Sequence, residues 1–258
     1  MGKRPKRQIV LFLVEGKSDR KALQVAIPEL YDRIDENIEV FFPTMVEDEE
    51  EKGGDITSKI QVWPRNIEEK IYELFLKNFF DEQKIMPKDI TEIVQIVDMD
   101  GAYVSDDMIR TGENPMGTDR PYYTENAIIT QRVENIIKRN AHKRENIDYL
   151  TSLKTIKVRQ KTVKYSVYYF SSNLDHFLHH DANLDYRKKI DLAEDFSRTY
   201  IGDVDGFIKQ IAEDPGAAKN MNYKESWNFI KTIGCNSLQR HTNLDILLLG
   251  LKNQDANQ

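Results

Sequence analysis

The stretch Thr91 to Tyr103, TEIVQIVDMDGAY, constrains this chain most, because an apolar, β-branched run ends abruptly in two carboxylates. Ile93, Val94, Ile96 and Val97 read as a buried strand, and Asp98, Asp100 and Gly101 fall at its carboxyl end. Ligands bind at that end in open α/β sheets. Two Asp side chains separated by one residue repel each other unless a cation sits between them, and a hard divalent ion such as Mg2+ suits an all-oxygen set.

The preceding chain supplies a frame for this strand. Gln8 to Val14 is a continuous apolar run of strand length, and Glu15-Gly16-Lys17-Ser18-Asp19 then turns into a helix that Ser18 or Asp19 can cap. Ala22, Leu23, Ala26 and Leu30 follow at helical spacing, with a kink or restart expected at Pro28. Ile38 to Phe42 reads as a second strand, and Ile67, Ile71, Leu74, Phe75 and Phe79 mark an amphipathic helix. Strand, helix, strand, helix, strand predicts a parallel sheet covered by helices, with Glu15 and the Asp98/Asp100 pair at one edge.

Between these elements, Glu47 to Asp55 packs acids and two glycines into what reads as a solvated loop, without the spacing of a calcium loop. Asp106 to Tyr123 has Gly and Pro but no periodicity, and reads as a long loop beside the edge, of the kind that forms lids. Ile128, Ile129, Val133, Ile136 and Ile137 predict an amphipathic helix capped near Thr124, with Glu125 and Asn126 opening it.

Lys154 to Phe170 alternates apolar and basic residues and then turns aromatic, predicting one or two strands. Lys154, Lys157, Arg159, Lys161 and Lys164 would track a phosphate backbone while Tyr165, Tyr168 and Tyr169 stack on bases; equally, the lysines would protect an edge strand from pairing. A basic tail of Lys3, Arg4, Lys6 and Arg7 would add to such a surface. Beyond Ser171 the chain reads as mostly helical to Leu251.

Composition enters as a bound on function. At 258 residues and 40% hydrophobic content the chain can bury a large core, and its net charge of -6 argues against wholesale wrapping of nucleic acid but not against a local basic groove. Cys235 is the single cysteine, so no internal disulfide forms and no thiolate zinc site is expected, which fits a reducing cytoplasm. No apolar run reaches membrane-spanning length, so no membrane partner is expected.

Val14-Glu15-Gly16-Lys17-Ser18-Asp19 and Val97-Asp98-Met99-Asp100-Gly101 together resemble the two motifs of the Toprim domain of topoisomerases, DnaG-type primases, small ribosomal-RNA maturation nucleases and OLD-type nucleases. The resemblance implies an α/β fold, a Toprim-like parallel sheet flanked by helices over residues 1–175, with a mostly helical C-terminal region over 176–258 packed on it. It implies Glu15 as general acid or base, Asp98 and Asp100 as ligands of Mg2+ (or Mn2+) with Glu15 at the same ion, and Lys17 beside the substrate. Topoisomerases carry a third acid where this chain has Ala102, which favours the primase, OLD or small-nuclease branches. Ser171 to Leu178 resembles an Asn-Pro-x-Phe-Glu-type segment of RloB-like relatives of OLD nucleases, with Leu174 replacing the proline and Asp175 in place of the acid. Asp19, Asp175 and His176 are then expected to support the metal or a phosphate.

The expected function is Mg-dependent phosphoryl transfer on nucleic acid, RNA or DNA, most simply by a nuclease, with a partner ATPase or a second copy as candidate assemblies. Two alternatives stand beside it. Asp98-Met99-Asp100-Gly101 also resembles the nucleophile motif of haloacid-dehalogenase-type phosphatases, with Gly202-Asp203-Val204-Asp205 as the late acidic motif; and a Toprim-like module can serve as a non-catalytic binding subunit. His176 and His180 lie one turn apart in a dense cluster with His179 and Asp181, a spacing that can also hold a transition metal.

Overall fold

The computed structural model describes residues 7–47, 50–51 and 54–256. Lys3, Arg4 and Lys6 of the basic tail, and Asp48, Glu49, Lys52 and Gly53 of the acidic loop, lie outside the described residues. The protein is α/β, built on a five-stranded, mostly parallel sheet with helices on both faces.

The first strand, β1 (Gln8–Leu13), has no polar alternation because both of its faces are covered. Helices α1 (Lys17–Leu23) and α2 (Ala26–Ile34) return the chain to β2 (Ile38–Phe41) at one edge. The break between the helices falls at Gln24–Val25, earlier than expected. Pro28 sits instead in the first turn of α2, where a missing N–H costs little.

After the short hairpin β3 (Val46–Glu47) and β4 (Glu50–Glu51), one interrupted helix runs through α3 (Ile67–Ile71), a π-helical turn (Tyr72–Leu76) and α4 (Lys77–Gln83). Its buried stripe, Ile67, Ile71, Phe75 and then Leu76, Phe80, slips by one residue, which the wider π turn absorbs.

Next come β5 (Ile90–Asp98), the three short strands β6 (Ile109–Thr111), β7 (Tyr122–Tyr123) and β8 (Ile128–Thr130), and the long helix α5 (Val133–Ser152). The hairpin β9 (Thr155–Val158) and β10 (Lys161–Phe170) completes the main sheet in the order β2-β1-β5-β10-β9, with only β9 antiparallel.

Two expectations are corrected here. Ile128 and Ile129 belong to a strand and not to the following helix, because the Thr124 hydroxyl closes a tight turn with Ala127 and turns the chain back to pair with β6 and β7. The stretch 106–123, expected as one long loop, opens with a 3-10 turn (Asp106–Met108) and β6 and closes in β7, so only 112–121 is free of helix and strand.

The C-terminal region is helical: α6 (Leu174–His179), α7 (Tyr186–Thr199), α8 (Val204–Ala212), α9 (Tyr223–Lys231) and α10 (Leu244–Asp255). Residues beyond 175 share a core with the sheet. Phe207, Ile208, Ile211, Leu244 and Leu248 pack with Val10, Phe12, Val94, Ile96 and Phe170 and with α2 on one face, while Trp227 and Ile230 join α3, α4 and α5 on the other. No helix among the described residues is long and apolar enough to cross a membrane.

This strand order fixes where a ligand can sit. From β1 the chain moves outward to β2 and then back across β1 to β5, so the connections diverge between the carboxyl ends of β1 and β5. Glu15 and Asp98 stand at those two ends.

Candidate metal centre

Each acidic side chain reaches the switch point by a different device. Glu15 follows β1, and its Oε1 accepts a hydrogen bond from the Asp98 amide at 3.0 Å, tying the two strand ends together. Beyond Asp98 the chain makes a turn in which Asp100 (φ 48) and Gly101 (φ 68) are both left-handed, and the Met99 and Asp100 amides donate to carbonyls of Phe170 and Ser172. Aspartate and glycine tolerate that backbone better than most residues.

Asp55 carries no signal of this role in the sequence. It ends the acidic stretch that reads as solvated, yet the Gly54 amide donates to the Glu15 carbonyl at 2.8 Å, which draws the segment onto the end of β1. Asp55 then caps a short 3-10 turn (Ile56–Ser58) by accepting from the Thr57 amide at 2.7 Å.

One oxygen each from Glu15, Asp55 and Asp100 all lie within 4.8 Å of one another, and this is the only such group of three or more metal-ligating side chains among the described residues. The donors are all hard oxygens, so the triad can hold a divalent cation of the Mg2+ class. Asp98 stands outside it, with its Oδ1 accepting from the Leu174 amide at 3.1 Å. Thus two of the three expected ligands, Glu15 and Asp100, are brought together, and the third place is taken by Asp55.

Helix α5 holds this arrangement from behind with a buried polar face. Lys143 is wholly buried and places Nζ 2.7 Å from Asp100 Oδ2, 2.9 Å from Asp55 Oδ2 and 3.9 Å from Glu15 Oε1. Arg139, Asn140 and Arg144 donate to the carbonyls of Asp100, Gly101 and Ala102, and Asn146 donates to those of Thr57 and Val62. A helical-period count of apolar residues passes over such a face. The signal in the sequence was the recurrence of Asn140, Lys143 and Asn146 on the side of the helix that also carries Ile136 and Ile147.

Burial and mutual repulsion set the charges. Glu15 is pushed well above the ordinary glutamate value, first by burial and then by Asp55. Burial also raises Asp98, with Asp19 and Asp100 adding to it. Burial likewise opposes ionisation of Asp55, but Lys143 and the Thr57 hydrogen bond outweigh it and hold Asp55 below the usual range. In return, Asp100, Asp55 and Glu15 overcome the burial of Lys143 and raise it well above an ordinary lysine.

A second charged group adjoins the first. Asp175, at the start of α6 and almost completely buried, accepts from Lys189 of α7 at 2.6 Å. Asp19 accepts from the Gly16 amide at 2.8 Å and is pushed up to about 6 by burial and by Asp175. Between the unfolded value near 4 and this one, the native state keeps an extra proton, so Asp19 lowers stability as pH rises through that window. In EDTA, Asp19→Asn should therefore gain stability relative to the wild type between pH 4 and pH 7, by up to about 3 kcal/mol, in thermal melts; a gain that shrinks with pH would contradict the assignment.

Two clefts open over these groups. One of about 400 Å³ is lined by Glu15, Lys17, Asp19 and Asp98, and another of about 460 Å³ by Asp100, Arg120 and Tyr123. Tyr186 and Lys189 line both, so the clefts meet above the sheet edge.

The remaining candidates lie elsewhere or have other partners. The basic segment sits at the opposite end of the sheet: Lys164 pairs in register with Glu92 while Phe170 pairs with Asp98, and the six residue steps from one to the other span about 20 Å. Lys161 donates to the carbonyls of Lys88 and Ile90, Lys164 pairs with Glu92, and Lys154, Lys157 and Arg159 flank or form the adjoining edge hairpin. Tyr165, Tyr168 and Tyr169 are buried in the core and cannot stack on bases. Arg7 pairs with Glu39.

His176 and His179 are lowered by burial and join no metal-ligating group of three among the described residues. Asp203 caps α8, and Asp205 pairs with Arg33 and Lys252 on the surface, so the late acidic motif of a haloacid-dehalogenase-type phosphatase is not at the sheet edge. No strand precedes it to carry it there.

Comparisons with protein-family models, curated proteins and solved structures find no match to this chain.

Proposed function

We propose that the chain is a divalent-metal-dependent phosphodiester hydrolase acting on nucleic acid, RNA or DNA, with Mg2+ or Mn2+ as its ion. The observation that carries this reading is the convergence of Glu15, Asp55 and Asp100 at the carboxyl-end switch point of the sheet, beside two open clefts. A divalent ion held there supplies a neutralising charge for a phosphate and a water of lowered pKa.

The protein's own residues divide the remaining work. Asp55 and Asp100, closest to Lys143, would serve as ligands, and Lys143 holds Asp55 below the usual carboxylate range. Glu15 lies farther from that cation and is the group biased toward holding a proton, which suits it to move one to or from the reacting oxygens. The Asp98 amide orients Glu15, and Lys17, Arg120 and Lys189 line the clefts where an anionic strand would lie.

The test is incubation of the purified protein with a panel of single- and double-stranded RNA and DNA in Mg2+ or Mn2+. Products suppressed by EDTA are expected; binding without turnover on every substrate would leave a non-catalytic binding module. On this geometry, replacing Lys157, Arg159 and Lys161 together by Gln should leave both turnover and the salt slope of binding essentially unchanged. A flattened slope would put the basic hairpin back in the substrate path.

A further inference from the structure

Lys143 is the most unusual residue of the site, a cation on a long helix with no exposed surface, aimed into three carboxylates. It cannot touch a substrate, because Asp55, Asp100 and Glu15 stand between it and solvent, themselves 10%, 25% and 15% exposed. A stabilising ion pair needs one acid, whereas Lys143 faces three. With all three carboxylates ionised, as ligands of a cation must be, the triad and its lysine sum to two negative charges, the balance that one divalent ion fills.

We propose that Lys143 is a built-in counter-cation that assembles the acidic triad in the metal-free protein and leaves charge for one divalent ion on its open side. The proposal rests on the reading of the triad as a divalent site. The α5 neighbours support it: Arg139 and Asn140 fix the backbone of the Asp100 turn and Asn146 fixes the segment after Asp55, so both acids are delivered to Nζ by the helix that carries the lysine. Lys143 is thus a positioning residue, acting through Asp55 and Asp100.

Removing this cation while keeping the acids takes away the ion pair that Glu15, Asp55 and Asp100 share and leaves the three carboxylates facing one another. In EDTA, Lys143→Met should melt about 10 °C below the wild type, the scale expected when one partner of a buried ion pair is removed from a protein of this size. Millimolar Mg2+ or Mn2+ should restore most of that loss, whereas the wild-type melting temperature should move by only a few degrees between EDTA and metal. By titration calorimetry, the variant should bind Mn2+ at least tenfold more tightly.

A lysine with a merely structural role would give the drop in melting temperature with no rescue by metal, and that result would overturn the proposal, as would a variant that melts with the wild type in EDTA. If Lys143→Met does not fold, the double variant Lys143→Met/Asp55→Asn, which removes one charge of each sign, should recover a cooperative melt; its failure to do so would also overturn the proposal. Calorimetry on the wild type separates the two readings. Mn2+ bound by the variant but not by the wild type would end the native metal centre and keep the role of Lys143, while Mn2+ bound by the wild type with no metal rescue of the variant would do the reverse.

Discussion

Asp100→Asn and Asp55→Asn should each lower divalent-dependent turnover by about a thousandfold, and Asp98→Asn by only about tenfold. The larger figure corresponds to about 4 kcal/mol of transition-state stabilisation, the several kcal/mol that a bound metal ion supplies. The smaller one is what an oriented neighbour of a metal ligand contributes. The ranking follows from position: Asp55 and Asp100 place oxygens in the triad with Glu15, while Asp98 spends Oδ1 on the Leu174 amide, a bond that asparagine can keep. Because Asp55 and Asp100 act on one ion, the double variant should be little worse than either single one. Single-turnover cleavage with saturating Mg2+, on variants whose melts show an intact fold, measures all four. A silent Asp55→Asn together with a dead Asp98→Asn would place the ion between Glu15, Asp98 and Asp100, as the spacing of the motif alone suggests.

Gly101→Val should destabilise the protein by about 3 kcal/mol or more, lowering the melting temperature by roughly 6–12 °C. Gly101 has φ 68, a backbone that costs a residue with a Cβ about 1–2 kcal/mol. A Cβ there would also meet Leu238 Cδ2 at 2.6 Å and Ile128 Cδ1 at 2.9 Å. Both belong to a small cluster with Val104, Ile109 and Ile136, and overpacking it adds about 1–3 kcal/mol. Gly117→Ala is the control, since Gly117 has nearly the same φ (69) but open space around its missing Cβ. It should cost only the backbone part. Equal losses for the two variants would show that the turn after Asp100 is not held by this packing.

The sequence by itself determined the frame of the site. β1 was evident because a strand buried on both faces reads as an unbroken apolar run, β2 and β5 because they are rich in β-branched and aromatic residues, and the interrupted helix α3–α4 because its stripe has helical period. Right placement of those elements is enough to bring Glu15 and the Asp98/Asp100 pair to one edge. Short strands were not evident: β8 is three residues long, and its isoleucines continue into the apolar positions of α5, so only the Thr124 turn and the pairing with β6 and β7 separate strand from helix.

Tertiary structure alone decided which acids meet and what charge balances them. Asp55 lies on a connection without periodicity and arrives through single hydrogen bonds, Gly54 to Glu15 and Asn146 to Thr57, between segments far apart in sequence. Lys143 lies on a helix whose inward face mixes Asn140, Lys143 and Asn146 with Ile136, Ile147 and Leu150, and a count of apolar residues alone assigns the polar members to solvent. The basic residues of 154–164 cluster as the sequence indicates, and strand direction puts that cluster at the end of the sheet away from the triad. Periodicity records which face of an element is buried. It does not record which end of a strand faces a ligand, nor whether a buried face meets hydrocarbon or charge, because those depend on partners brought in from elsewhere in the chain.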